Sequence, residues 1–234
     1  MTVVAIHQPN YLPWLGFFSK ISQADVFIFL DDAQYTKNSY INRVGVLCNG
    51  APKWLTVPVR VPLETPICAA LPAEADWIDR HFERVSSYYR KAPARQEALS
   101  ELTTMYASIQ AGDNIANINM SLIRALASRL GITADFRVAS EFQHSEKRSN
   151  DRLIALVRSI DRRGIYLSGA GASSYQDPEQ FEAAGLGIQF TVFNHPVYAQ
   201  ADSPFVAGLS AIDAVFWLGW EGAGAMLRAS AKGQ

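Results

Sequence analysis

The chain has 234 residues, 21 Lys+Arg against 22 Asp+Glu for a formal net charge of −1, with 49% hydrophobic and 18% charged residues. That length fits one large domain or a domain with a substantial insertion, and the composition supplies a sizeable core and argues against long disorder. A chain without a basic excess has no electrostatic footprint for a phosphate backbone, which excludes nucleic acid as its main ligand.

Cys48 and Cys68 are the only cysteines. Neither stands in a ligand-like spacing with another Cys or His, so both read as reduced, small apolar side chains and no metal site is expected. No stretch approaches the roughly 20 apolar residues that span a bilayer, and no signal core precedes His7. The expected location is the cytoplasm, away from membranes.

In chain order, Thr2 to Ile6 is a short β-branched run that predicts a buried strand. The next segment, His7-Gln8-Pro9-Asn10-Tyr11-Leu12-Pro13, cannot be a helix interior because two prolines break it. Pro13 is placed to open a helix over Trp14 to Gln23, and Val26 to Leu30 predicts a second buried strand stopped by Asp31-Asp32. Strand, helix and strand in about thirty residues make a βαβ unit with parallel strands and a right-handed crossover. Val44 to Leu47 and Trp54 to Val59 flank an Asn49-Gly50 turn and predict a hairpin. Val61 to Ala75 reads as loop; Asp76 to Arg90, Pro93 to Ser108 and Asn114 to Leu130 read as helices, the last closed by Gly131. Ala134 to Val138 (strand), Ser149 to Arg163 (helix), Ile165 to Leu167 (strand), a turn at Ser168 to Ala172, Pro178 to Ala184 (helical turns) and Ile188 to Phe193 (strand) follow. Ala211 to Ala229 is predicted helical, with Gly219, Gly222 and Gly224 as weak points. The fold class is α/β: a mostly parallel open sheet flanked by helices, opened by a Rossmann-like βαβ unit, with an added hairpin and a mostly helical insertion at about 76–130 in a single domain.

Ligands of such sheets bind at the carboxyl ends of the strands. His7, Gln8, Asn10 and Tyr11 fall at one such end, Asp31, Asp32, Gln34 and Tyr35 at a second, and His195 with Tyr198 and Gln200 at a third. His7 and His195 are candidates for general acid and base, since imidazole titrates near neutrality. Of Asp31 and Asp32 only one is expected to enter the crevice; it would orient a histidine, bind a sugar hydroxyl or hold a metal, or else cap a turn. Asn42 and Arg43 offer an amide and a cation, Arg43 for an anionic group or a structural ion pair. Ser168 and Gly169 open a small-residue turn whose N–H groups could approach a ligand, although it matches neither a phosphate loop nor a nucleophile elbow. Tyr11, Trp14 and Tyr35 are placed to stack on a sugar or base. Ser210 and Asp213 read as a helix N-cap and first-turn acid, His81 as surface or packing, and His144 as solvated loop.

Taken together, His7-Gln8-Pro9-Asn10-Tyr11-Leu12-Pro13-Trp14-Leu15-Gly16, Asp31-Asp32-Ala33-Gln34-Tyr35, Asn42-Arg43, Trp54 to Pro58, Tyr166 to Gly169, Tyr175, His195-Pro196, Tyr198, Gln200 and Leu209 to Asp213 resemble the WbqC-like family over nearly the whole chain. The chain departs from that pattern at Asn10 and in its Gly-rich tail. The resemblance implies a transferase-like protein of surface polysaccharide (O-antigen) or natural-product biosynthesis. The reaction class it suggests is acyl or aminoacyl transfer to an amino-sugar nucleotide or similar amine. In that scheme His7 or His195 deprotonates the amine, Asp32 orients the histidine and Arg43 meets a phosphate or carboxylate. Partners would be a nucleotide sugar and an acyl or aminoacyl carrier; the cofactor is left open. Two other readings stand beside it: a nucleotidyl-transferase-like enzyme, whose second histidine is missing from the turn, and a non-catalytic binding or scaffold protein.

Overall fold

The computed structural model describes residues 1–142, 149–169, 171, 176–201 and 204–232. The first βαβ unit forms as expected. Strand β1 (Val3–His7) leads through an irregular segment into helix α1 (Leu15–Ser22) and back into strand β2 (Val26–Phe29), which pairs with β1 in parallel. Hairpin β3 (Arg43–Cys48) and β4 (Ala51–Thr56) turns at Asn49 and Gly50, both left-handed at φ 51° and 76°, the geometry a two-residue hairpin turn requires. Helices α2 (Trp77–Tyr88), α3 (Arg95–Ala107) and α4 (Ile115–Arg129) follow before strand β5 (Asp135–Val138) joins the far side of β2. Helix α5 (Ser149–Ile160), strand β6 (Ile165–Gly169), helix α6 (Pro178–Ala183), strand β7 (Gly187–Thr191) and helix α7 (Ala211–Lys232), kinked at Gly219, complete the chain.

The result is an α/β fold: a five-stranded, all-parallel open sheet flanked by helices, with the hairpin forming a separate sheet. The order β5-β2-β1-β6-β7 means the chain first winds outward from β1 in one direction, then returns and winds outward in the other. Ala5, Phe27, Phe29 and Leu167 face one layer with α1, α4, α7 and the hairpin. Val4, Ile6, Val26, Ile28 and Tyr166 face the other, with α5 and α6. Both faces are covered, which is why these strands read as continuous apolar runs. The aromatic stack of Phe29 on Phe136, centroids 5.5 Å apart, anchors the first layer; burying each such ring contributes about 1.5–3 kcal/mol.

Two expectations are corrected. The turn expected at Ser168 is strand: β6 runs through Ser168 and Gly169, paired to Phe190 and Thr191 of β7. Strand β7 stops at Thr191, so His195 lies in an irregular segment beyond the strand end. Of the two readings of His81, surface or packing, the structure shows packing: it is 2% exposed. His144 and Tyr175, with Ala170 and Ala172 of the expected turn, lie outside the described residues. No helix among the described residues is long and apolar enough to cross a membrane.

Candidate functional site

An open sheet wound in both directions has one place where neighbouring connections leave on opposite faces, and a crevice forms there at the carboxyl ends of the strands. In this sheet that place lies between β1 and β6. The strand pair opens before its end: β1 pairs with β2 as far as His7, but with β6 only as far as Ala5 opposite Leu167.

The segment after β1 is pinned from three sides. Asn119 donates to the carbonyls of Pro9 and Ile41, both at 2.8 Å. Ser210 Oγ donates to Leu12 O at 2.6 Å, and the N–H of Ala211 donates to Pro13 O. Leu12 is held at φ +40°, a left-handed conformation that a buried leucine adopts only when its surroundings over-determine it. The segment therefore presents His7 and Trp14 from a rigid frame.

His7 is half-buried, with its ring 4.9 Å from Phe17 and 6.4 Å from Trp14 between centroids. Its Nδ1 lies 2.9 Å from the Gln8 carbonyl, which can only accept, so Nδ1 carries the proton and Nε2 keeps a bare lone pair. Burial, reinforced by the neighbouring Lys20 charge, lowers its pKa to about 4 and keeps the ring neutral at pH 7. Lys20 comes from α1. It is 5% exposed, its Nζ donates to the Ile6 carbonyl at 2.8 Å, and burial lowers its pKa to about 7.

His195 has a similar arrangement: Nδ1 3.3 Å from the Pro196 carbonyl, Nε2 buried without a partner among the described residues, and a pKa lowered by burial. Phe193 connects the two histidines. It packs on Gly16, where an added Cβ would stand 2.8 Å from its ring and 3.0 Å from Trp14 Nε1, and its own ring lies 5.4 Å from that of His195. His7 and His195 thus belong to one end of the sheet, joined through Trp14, Gly16 and Phe193. A further row of rings leads outward: Trp14 to Tyr40 at 4.9 Å, and Tyr40 to Trp54 at 6.0 Å. Tyr40 and Trp54 are 44% and 50% exposed, beside a groove of about 210 Å3 under the hairpin.

Other residues proposed from the sequence serve the frame. Tyr11 is fully buried: its hydroxyl meets His81 Nδ1 at 2.8 Å and the Tyr106 hydroxyl at 2.5 Å, while His81 Nε2 donates to Thr56 O. Tyr198 and Gln200 donate to the buried Asp213 carboxylate at 2.7 and 2.8 Å, with Tyr89 completing the set at 2.7 Å. Asn42 donates to Val57 O, Asn10 is buried at 3% exposure, and Asp31 Oδ1 accepts from Ser140 N–H. Asp32 does not orient a histidine; it forms an ion pair with Arg152 of α5, and the Gln8 carbonyl orients His7 instead. Arg43 stacks on Trp54 at 4.3 Å rather than standing free for an anion. Gln34 is exposed and bridges Pro66, and Tyr35 is buried beside the same loop, its N–H on Thr65 O.

Ser168 and Gly169 lie at the carboxyl end of β6, beside the switch point. Ser168 is fully buried and its Oγ has no hydrogen-bond partner among the described residues. Space is open beside Gly169, where an added Cβ would meet nothing within 4 Å. Sequence reasoning missed Lys20 and the Asp213 hub. The signal for Lys20 was present: Leu15, Phe17, Phe18, Ser19 and Ile21 of α1 are all buried, so the helix leaves its cation almost no solvated face. Larger cavities lie away from this end, about 580 Å3 beside Phe82 and Tyr106 and about 460 Å3 near Asp25 and Asp135. Among the described residues no three His, Cys, Asp or Glu side chains cluster closely enough to hold a metal ion.

The fold defines a wound α/β protein whose topological switch point lies between β1 and β6, with His7 at the carboxyl end of β1. The chain belongs to the WbqC-like protein family, whose pattern matches residues 8–224. Over 226 residues it is 31% identical to a protein of Mycobacterium tuberculosis (strain ATCC 25618 / H37Rv) named "Uncharacterized protein Rv1507c", a match covering 94% of this chain and 96% of that one. No solved structure is significantly similar.

Proposed function

We propose that the protein is a small-molecule transferase that moves an acyl or aminoacyl group from a carrier to the amine of an amino-sugar nucleotide or similar acceptor, with His7 as general base. One observation carries this reading: His7 stands in a pinned segment with Nδ1 taken up by the Gln8 carbonyl, which leaves the Nε2 lone pair for a substrate. As the amine nitrogen attacks the acyl carbon and the new C–N bond forms, Nε2 takes the amine proton and returns it to the departing carrier sulfur or oxygen. The Trp14, Tyr40 and Trp54 rings provide faces on which a sugar or base ring rests. His195 is the second candidate to exchange the proton, and surface polysaccharide or natural-product biosynthesis is the setting the family resemblance suggests.

The test is a panel of acyl and aminoacyl thioesters with nucleotide amino sugars, read by release of free thiol and by mass of the acylated sugar. His7→Gln should bind the acceptor while lowering kcat/KM about a thousandfold. Undiminished turnover in that variant would defeat the assignment. The sheet order, shared with dinucleotide-binding folds, favours one other reading, nucleotidyl transfer with phosphates at the same crevice. Release of pyrophosphate from a nucleoside triphosphate, with no thiol released, would select it.

A further inference from the structure

On the reading that the reaction lies at the carboxyl end of β1, the opening beside it has a chemistry of its own. We propose that the gap between β1 and β6 seats a tetrahedral oxyanion, the phosphate of a phosphorylated substrate, held by Lys20 Nζ, the Ser168 hydroxyl and the Gly169 N–H.

Strand register defines the gap. Ile165 N–H donates to Thr2 O, and the ladder advances to Ala5 opposite Leu167. A parallel ladder continued by one rung would bring Gly169 N–H to the Ile6 carbonyl. The ladder ends before that rung, and the Ile6 carbonyl accepts the Lys20 ammonium instead. Gly169 N–H is left facing the gap. Ser168, which continued pairing would set opposite Ile6, has its hydroxyl fully buried and without a hydrogen-bond partner among the described residues.

Lys20 has three N–H bonds and one hydrogen-bond acceptor; its Nζ also stands 6.0 Å from the Tyr166 ring centroid, and among the described residues no carboxylate pairs with it. A buried cation lacking a counter-ion, beside a buried hydroxyl lacking a partner, is unfavourable unless something fills the site. A structural role in holding the Ile6 carbonyl accounts for Lys20 but not for Ser168. The donors approach from three directions: the N–H in the plane of the sheet, the ammonium from the α1 layer, the hydroxyl from the α5–α6 layer. A planar carboxylate meets donors in one plane, whereas a phosphate suits a non-coplanar set. An anion there would also restore the Lys20 charge that burial disfavours.

The experiment is a sulfate titration of the 15N-labelled full chain, reading the Gly169 amide, with sodium chloride at matched ionic strength as control. A saturable shift is expected with sulfate and none with chloride. Lys20→Met should weaken binding about tenfold or more and Ser168→Ala about threefold. Should Lys20→Met not fold, the Ser168→Ala titration carries the test. Sulfate keeps its charge and His7 stays neutral between roughly pH 6 and pH 9, so affinity should fall across that range as Lys20 loses its proton. A non-saturating shift, one matched by chloride, or full affinity in both variants would overturn the seat. A nucleotide sugar should displace sulfate at lower concentration than inorganic phosphate does; displacement by inorganic phosphate alone would overturn its assignment to a substrate. Sulfate binding requires no turnover, so a protein that seats the anion yet transfers nothing keeps this inference and loses the transferase reading.

Discussion

Two regions of buried polar side chains differ in whether their hydrogen bonds close. Around Asp213, the carboxylate receives Tyr89, Tyr198 and Gln200, and Gln200 in turn holds Val206 N–H with its carbonyl oxygen. Around Tyr11, protons run in one direction: Tyr106 donates to Tyr11, Tyr11 to His81 Nδ1, and His81 Nε2 to Thr56 O. At the carboxyl end of the sheet, by contrast, Ser168 Oγ of β6 and His195 Nε2 beyond β7 are buried and find no partner among the described residues, and the Lys20 ammonium has one hydrogen-bond acceptor. Closed networks specify a fold, whereas open ones are unfavourable in the empty protein and become useful when a ligand completes them.

The sharpest way to break this contrast is to open a closed network. Asp213→Ala leaves three buried donors unpaired and should destabilise the fold by about 4 kcal/mol, with Asp213→Asn intermediate, measured by urea denaturation. Little change would mean that the hub is not structural.

Acid attacks the Tyr11 chain next. His81 stays neutral in the folded protein down to about 4 but takes a proton near 6.5 when unfolded. The unfolded chain therefore binds more protons within that window, and stability should fall by about 3 kcal/mol as pH drops through it. His7 acts in the same direction. In His81→Gln the acid-side loss should be visibly smaller.

The open region should respond in the opposite sense. Lys20→Met removes a buried, uncompensated cation and should stabilise the protein at pH 7 by about 2 kcal/mol. The unfolded lysine holds its proton up to 10.5 and the folded one only to about 7, so wild-type stability rises with pH between those values and the variant's advantage shrinks. A destabilised variant would place Lys20 with the closed networks.

The smallest effect is expected at the rim. Trp54→Ala removes one exposed face and should raise KM for the sugar acceptor about fivefold with kcat unchanged, the size of one aromatic contact.

Much of the frame was legible in the chain itself, because it rests on local rules: β-branched runs, the Asn49-Gly50 turn, Asn114 opening α4 and Gly131 closing it. The parallel pairing of β1 with β2, and His7 at its carboxyl end, follow from the same pattern. Only the tertiary structure decided which polar residues remain unpartnered. Tyr11 and Tyr198 read like ligand contacts in sequence, yet His81, 70 positions away, and Asp213, 15 positions away, take up their hydroxyls, and Gln200 is shared between Val206 and Asp213. Lys20 drew no reading from the sequence; tertiary packing buries it against the Ile6 carbonyl. Hydrogen-bond closure depends on partners brought together from distant parts of the chain, and spacing along the chain holds no record of it.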